Sequence, residues 1–342
     1  MALINLKDLL THAKEHKYAV GAFNITNLGT IDYIVDAAVE ERSPVILQVA
    51  EVHLKYFNLE DIAPAIISAA KRVNIPVCVN LDHGQSLQTV IRAIRAGFTS
   101  VMFDGSRFPI DENIAITKEV VKIAKSVGVG VEGEIGYIGG EVIGETSTRE
   151  GNVANKEFFT KVEEAVRFYK ETDVDAMAIA IGNVHGFYKG KPELDFERLQ
   201  QISNAVPIPI VLHGGSGISD EDFRKAISLG ICKINFYTQM SAVAVDRIKE
   251  YLQQKPDASS FPDLIAKGME GLKCVVRERM EVFGSKNMCA PDKTLCISCT
   301  DRVCGVEEPR FKPEAKTVLY EDLIDKISKE VIANIRNTGK RN

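Results

Sequence analysis

Three of the six histidines, His83, His185 and His213, each follow an apolar run, and Asp82 stands directly before the first of them. A single histidine in such a place is most often structural. Three brought to one rim are different, because three neutral imidazoles with a fourth position open form a catalytic zinc arrangement. Zinc held in this way acts as a Lewis acid on a carbonyl oxygen. Asp104 and Glu134 suit a second shell that orients imidazoles, and Glu134 can also ligate in one state. His12, His16 and His53 have no such placement.

The elements that must position these groups alternate. Apolar, β-rich runs occur at 18–24, 45–50, 76–82, 99–104, 129–136, 175–182, 209–214 and 232–237. They are continuous rather than alternating, the pattern of parallel strands buried on both faces. Amphipathic segments separate them. Ser86 is placed to cap a helix that ends before Gly97, and Ser219 one that ends at Gly230, with Asp220, Glu221 and Asp222 in its first turn. Eight such units predict a (β/α)8 TIM barrel over residues 1–286. A doubly wound sheet would place a glycine-rich dinucleotide turn after the first strand, and GAFNIT lacks one. In a barrel the chemistry sits at the C-terminal strand ends, where the three histidines fall. The strand at 76–82 should end at Asp82-His83, with Gly84 turning the chain.

Composition narrows the possibilities. The 342 residues are 45% hydrophobic and 26% charged, with net charge −5. That balance argues against a nucleic-acid surface and against binding to anionic membranes. No run approaches the ~18 apolar residues of a membrane span, and the N-terminus lacks a signal-peptide core. Seven cysteines without a leader fit reduced thiols and a cytoplasmic location.

A second chemistry lies beside the first. HGGSG at 213–217 supplies Gly214, Gly215 and Ser216, and its lead into the helix capped at Ser219 lets backbone N–H groups face an anion. Barrel phosphate sites use the loops after strands seven and eight, which here add Asn235 and Thr238. Lys189, after strand six, adds a positive charge. The loop 138–151 is long, polar and glycine-rich, and carries Glu141, Glu145 and Glu150. Loops of that kind often serve as lids.

LDHG, VMFDGS, EGEIG, AIGNVHGFY, VLHGGSG and KINFYT, in this order up to about residue 287, resemble the zinc-dependent class II ketose-bisphosphate aldolases, the fructose- and tagatose-bisphosphate enzymes. The resemblance implies reversible aldol cleavage of a phosphorylated ketose, a small phosphosugar, to dihydroxyacetone phosphate and an aldehyde, as in glycolysis. It implies one zinc per chain on His83, His185 and His213, with Asp82 moving the proton of the C4 hydroxyl. It places Gly186, Gly214, Ser216, Asn235 and Thr238 around the dihydroxyacetone phosphate end, with Lys189 beside them and Asn24 near the substrate. It further implies a second acid on the loop after strand five, Glu141 first and Glu145 second, a monovalent cation (Na+ or K+) near the phosphate, and a homodimer or homotetramer. The competing class is a zinc hydrolase on the same barrel with Asp82 as base for a metal-bound water. The phosphate loops and the motif order weigh against it.

The chain departs from that pattern in two places. Fructose-bisphosphate enzymes resemble N-x-D-T-D-x-R after strand eight, whereas this chain has Tyr237 at the first aspartate position and Ser241 at the arginine position. Ala50 stands where many members have serine, and Arg107 is a cation without an assigned place. Serine cannot supply a charge-assisted phosphate contact, so a ketose 1-phosphate with a different far end is open beside the bisphosphate. The second departure is an extension, 287–342. It carries Cys289, Cys296, Cys299 and Cys304 as C-x6-C-x2-C-x4-C, a possible second metal or iron–sulfur site, and then an amphipathic helical stretch from Tyr320 to Ile335.

Overall fold

The computed structural model describes residues 3–139 and 154–289. Glu141, Glu145, Glu150, Cys296, Cys299, Cys304 and the helical stretch from Tyr320 lie outside the described residues.

Eight parallel strands close on themselves in chain order: β1 (Val20–Asn24), β2 (Val45–Ala50), β3 (Val77–Gly84), β4 (Ser100–Phe103), β5 (Gly130–Ile135), β6 (Ala176–Ile179), β7 (Ile210–Leu212) and β8 (Ile231–Phe236). Closure is by β8 against β1, with Val20 beside Lys233 and Ala22 beside Asn235. A helix, α1 (Leu6–Glu15), precedes the barrel. Between the strands run α2 (Leu28–Glu40), α3 (Leu59–Lys71), α4 (Leu87–Arg95), α5 (Ile110–Ser126), α6 (Val162–Thr172), α7 (Phe196–Ala205) and α8 (Asp220–Ser228). Two further helices, α9 (Thr238–Gln254) and α10 (Phe261–Val282), follow β8. The expected caps form: Ser86 accepts from the Thr89 N–H, and Ser219 from that of Asp222. The eight runs are the eight strands, so the chain is a (β/α)8 barrel. Among the described residues no helix is long and apolar enough to cross a membrane.

The core has two parts, and the second explains where the site sits. Outward-facing strand residues pack on the helices in one large cluster. Inward-facing residues at the lower end, among them Val20, Ala22, Ile46, Cys78, Ala176 and Val211, form a plug under Leu6, Leu9, Leu10 and Ala13 of α1. Each fully buried leucine contributes about 1.5–3 kcal/mol, so α1 seals that end with apolar surface. Further along four of these strands the inward side chains turn polar. Ala22 gives way to Asn24, Ile46 to Gln48, Cys78 to Asn80 and Asp82, and Val211 to His213, and every one of these polar groups is buried. The barrel interior is therefore apolar below and polar above.

β3 does not end where the sequence suggests. It runs through Gly84 with its register to β4 shifted between Leu81 and Gly84. Within that bulge His83 has φ 46°, the left-handed region that a non-glycine residue rarely adopts. Adjacent strand residues normally point to opposite faces. The bulge re-aims His83, so Asp82 and His83 both reach the mouth. Such a backbone conformation costs about 1–3 kcal/mol and is typical of functional positions.

Candidate active site

His83, His185 and His213 meet at the C-terminal mouth, with one ligand atom from each within 4.8 Å of the others. The His83 ring lies 4.7 Å from those of both partners, and the His185 and His213 rings are 5.8 Å apart. His83 Nε2 and His213 Nδ1 face each other at 2.9 Å. Two nitrogens about 2.0–2.1 Å from one tetrahedral zinc stand only a few tenths of an ångström further apart, so the residues fit such an ion. The remaining nitrogens are turned to carboxylates. His83 Nδ1 is 2.8 Å from Asp104 Oδ2, and His213 Nε2 is 2.8 Å from Glu132 Oε1.

Electrostatics tell the same story. Burial works against charge on His83, but Asp82, Asp104 and Glu134 outweigh it and push its pKa up to about 10. Burial and then the His83 charge drive His185 and His213 well below the ordinary histidine value. Burial tends to raise the Asp104 carboxyl, yet its bond to His83 and those from Ser106 hold it well below the usual range. Glu134 is pushed the other way, by burial first and by Asp104 next. It groups with His83 and Asp104 as a second candidate set; its Oε2 is buried without a hydrogen-bond partner, 3.9 Å from His83 Nδ1.

Asp82 is held at both oxygens. Asn235 Nδ2 donates to Oδ1 at 2.8 Å and Asn24 Nδ2 to Oδ2 at 3.1 Å. Gln48 in turn donates to Asn24 Oδ1 at 3.0 Å, fixing that amide so that its NH2 faces the acid. Burial works to raise the Asp82 pKa, but the charge of His83 first, then His213, Lys233 and the Asn24 bond, keep it below the ordinary value. An ionised carboxylate aimed by two carboxamides can take a proton from a substrate hydroxyl.

The loops are tied to one another. Asn183 Nδ2 donates to the His213 carbonyl at 3.1 Å, and the Tyr188 hydroxyl donates to the Gly214 carbonyl at 2.8 Å. Gly214 has φ 63°, and a Cβ there would overlap the Val184 carbonyl oxygen, so the close approach of these loops requires glycine. Ser216 Oγ accepts the Gln239 N–H at 3.1 Å, joining this loop to the start of α9. The cleft beside the histidines is lined by Asn24, Asp82, Gly186, Gly214, Gly215, Ser216, Asn235, Tyr237 and Thr238, among others. The helix that begins there is α9, not α8. The α8 start carries its own Ser219 cap and three acids, whereas α9 has no side-chain cap bond and no acid in its first turn.

Other predicted residues stand apart. Lys189 is exposed and does not line the cleft, and Arg107 is tied to Gln85. Tyr237 lines it, with its ring 4.9 Å from His53. Ala50 pairs with Asp82 across β2 and β3. Cys289 is partly buried against the core, and its N–H donates to the Arg42 carbonyl. Sequence reasoning missed Gln48, Asn183, Tyr188 and Lys233, and gave no role to Glu132 on the fifth strand. The available signal was polarity inside otherwise apolar strands, as in Gln48 of VILQVA and Lys233 of ICKINF.

Residues 4–288 match the family described as fructose-bisphosphate aldolase class-II. The chain is 39% identical over 290 residues to the probable fructose-bisphosphate aldolase of Bacillus subtilis, covering 84% of this chain and 99% of that one. It is 40% identical over 288 residues to the sulfofructosephosphate aldolase of Alkalicoccus urumqiensis, covering 84% and 98%. The crystal structure of the YdjI aldolase from Escherichia coli K12 superposes with a TM-score of 0.74 at 33% identity, covering 84% of this chain and 99% of that one.

Proposed function

The chain belongs to the class-II fructose-bisphosphate aldolase family, and from that premise we propose that it carries out zinc-dependent, reversible cleavage of a phosphorylated ketose to dihydroxyacetone phosphate and an aldehyde. Membership makes it an aldolase, a lyase of carbon–carbon bonds acting on phosphosugars, and sets the hydrolase aside. The observation that carries the finer reading is the buried Asp82 carboxylate, held by two carboxamides beside three converging imidazoles.

In this reading His83, His185 and His213 hold the zinc. Zinc, when bound, supplies Lewis-acid stabilisation of the negative charge left on the ketone side as the bond breaks. Asp82 takes the proton of the C4 hydroxyl, the C3–C4 bond breaks, and C4 leaves as the aldehyde. The electron pair stays on the three-carbon fragment as an enediolate, which a second acid protonates at C3. Glu141, then Glu145, are our choices for that acid. Asn24 and Asn235 keep Asp82 aimed, and the same contacts serve the reverse, condensing direction. The phosphate is held by Gly214, Gly215 and Ser216 and by the first turn of α9, whose positive dipole end favours an anion, with a monovalent cation nearby. The working form is a cytoplasmic homodimer or homotetramer.

The far end of the substrate is where this chain differs. Tyr237 presents a phenol at the cleft, and none of the described residues lining the cleft is lysine or arginine. Relatives 39% and 40% identical carry names for different sugar phosphates, which supports leaving the bisphosphate open. We expect a ketose 1-phosphate without a second phosphate to be cleaved with a kcat/KM comparable to or above that of fructose 1,6-bisphosphate. The check is a panel of ketose phosphates with added zinc and enzymatic detection of dihydroxyacetone phosphate. Strong preference for the bisphosphate would contradict the far-end reading alone. No dihydroxyacetone phosphate from any member would contradict the whole.

A further inference from the structure

We infer that the Glu132–Lys233 pair inside the barrel positions the metal ligand His213: Glu132 accepts its Nε2–H, fixing the tautomer whose Nδ1 faces the metal, and Lys233 holds Glu132 in place. The inference rests on reading His213 as a zinc ligand. All three side chains are 0% exposed. Glu132 Oε1 lies 2.8 Å from His213 Nε2, and its Oε2 lies 2.7 Å from Lys233 Nζ. Each oxygen of this carboxylate therefore has one partner. An ionised carboxylate only accepts hydrogen bonds, so the nitrogen facing it must carry the proton. The lone pair of His213 is then on Nδ1, which points at His83 Nε2 from 2.9 Å. Asp104 does the same for His83 through Nδ1. Two acids, Asp104 just past the end of β4 and Glu132 within β5, thereby turn two imidazole lone pairs toward one point.

Packing alone does not explain the pair. A buried ion pair is weak evidence for stability, because apolar residues of similar volume serve as well or better. What apolar residues cannot do is accept the His213 N–H. A lysine whose ammonium reaches neither solvent nor the cleft also has no direct part in binding substrate. Its only ion-pair partner among the described residues is Glu132.

The test replaces the pair with Glu132→Leu/Lys233→Met, which removes both charges together and leaves no unpaired one. Circular dichroism melting of the metal-free protein reports folding, and chelator competition reports zinc affinity. Loss of an outer-shell partner costs about 10–100-fold in metal affinity, and that drop is expected here with melting close to the parent. Glu132→Gln/Lys233→Met, which keeps an acceptor for His213, should recover most of it. Zinc affinity of the Leu/Met protein within about twofold of the parent, well short of that outer-shell effect, would assign the pair to packing and overturn the inference. Ring-nitrogen NMR of the unaltered, metal-free protein gives an answer even if the variants do not fold. His213 protonated at Nε2 supports the inference, and His213 protonated at Nδ1 overturns it. Failure of the parent to bind zinc would instead overturn the metal reading on which this rests.

Discussion

Replacing Asp82 by asparagine is expected to lower kcat by about a hundred- to ten-thousandfold, the usual contribution of a positioned acid–base group. The substitution keeps size and shape but removes the basic oxygen pair. It also sets an amide NH2 against Asn24 and Asn235, both of which now donate to Asp82. Zinc affinity should change far less, since Asp82 lies outside the set of three rings and its Oδ1 is 3.9 Å from His83 Nε2. The signature is therefore a collapse in kcat with near-stoichiometric zinc. Steady-state kinetics alongside metal analysis checks it, and a variant that keeps parental kcat would remove Asp82 from the proton transfer.

His185→Ala should act on the other half of the site. His185 supplies one of three converging ligand atoms. Losing an outer-shell partner already costs about 10–100-fold in affinity, so losing a direct ligand should cost more than about a hundredfold. The barrel should persist, because His185 sits in a loop beyond β6 rather than in a strand. Dialysis against a chelator that leaves the parent loaded should strip the variant, and activity should fall with the metal. Retention of full zinc under those conditions would remove His185 from the ligand set.

The expected partition of effects follows from how the site is built, and much of that building was readable in advance. Eight apolar runs with capped helices between them dictate a barrel, and a barrel carries strand-end residues to one mouth. Hence Asp82, His83, His185 and His213 could be placed together before any coordinates. What the sequence hides is the direction of side chains and their partners. Glu132 and Lys233 sit inside strands, and only the closed register of the barrel turns them toward His213. Gln48 looks like one polar residue in an apolar run, and becomes the end of a chain to Asp82 only when β1, β2 and β3 are adjacent. The left-handed His83 is equally invisible, because nothing in Asp-His-Gly distinguishes a bulge from a turn. The helix that borders the cleft was misplaced for a different reason. Ser219 and three acids advertise α8, while the start of α9, which lines the cleft, carries no capping signal at all.

The most direct measurement of the central claim is a metal cycle on the unaltered protein. Protein dialysed against a chelator should release no dihydroxyacetone phosphate from a ketose phosphate, and zinc added back to one ion per chain should restore release. Undiminished release from protein shown by elemental analysis to be free of metal would contradict a zinc-dependent aldol cleavage at His83, His185 and His213.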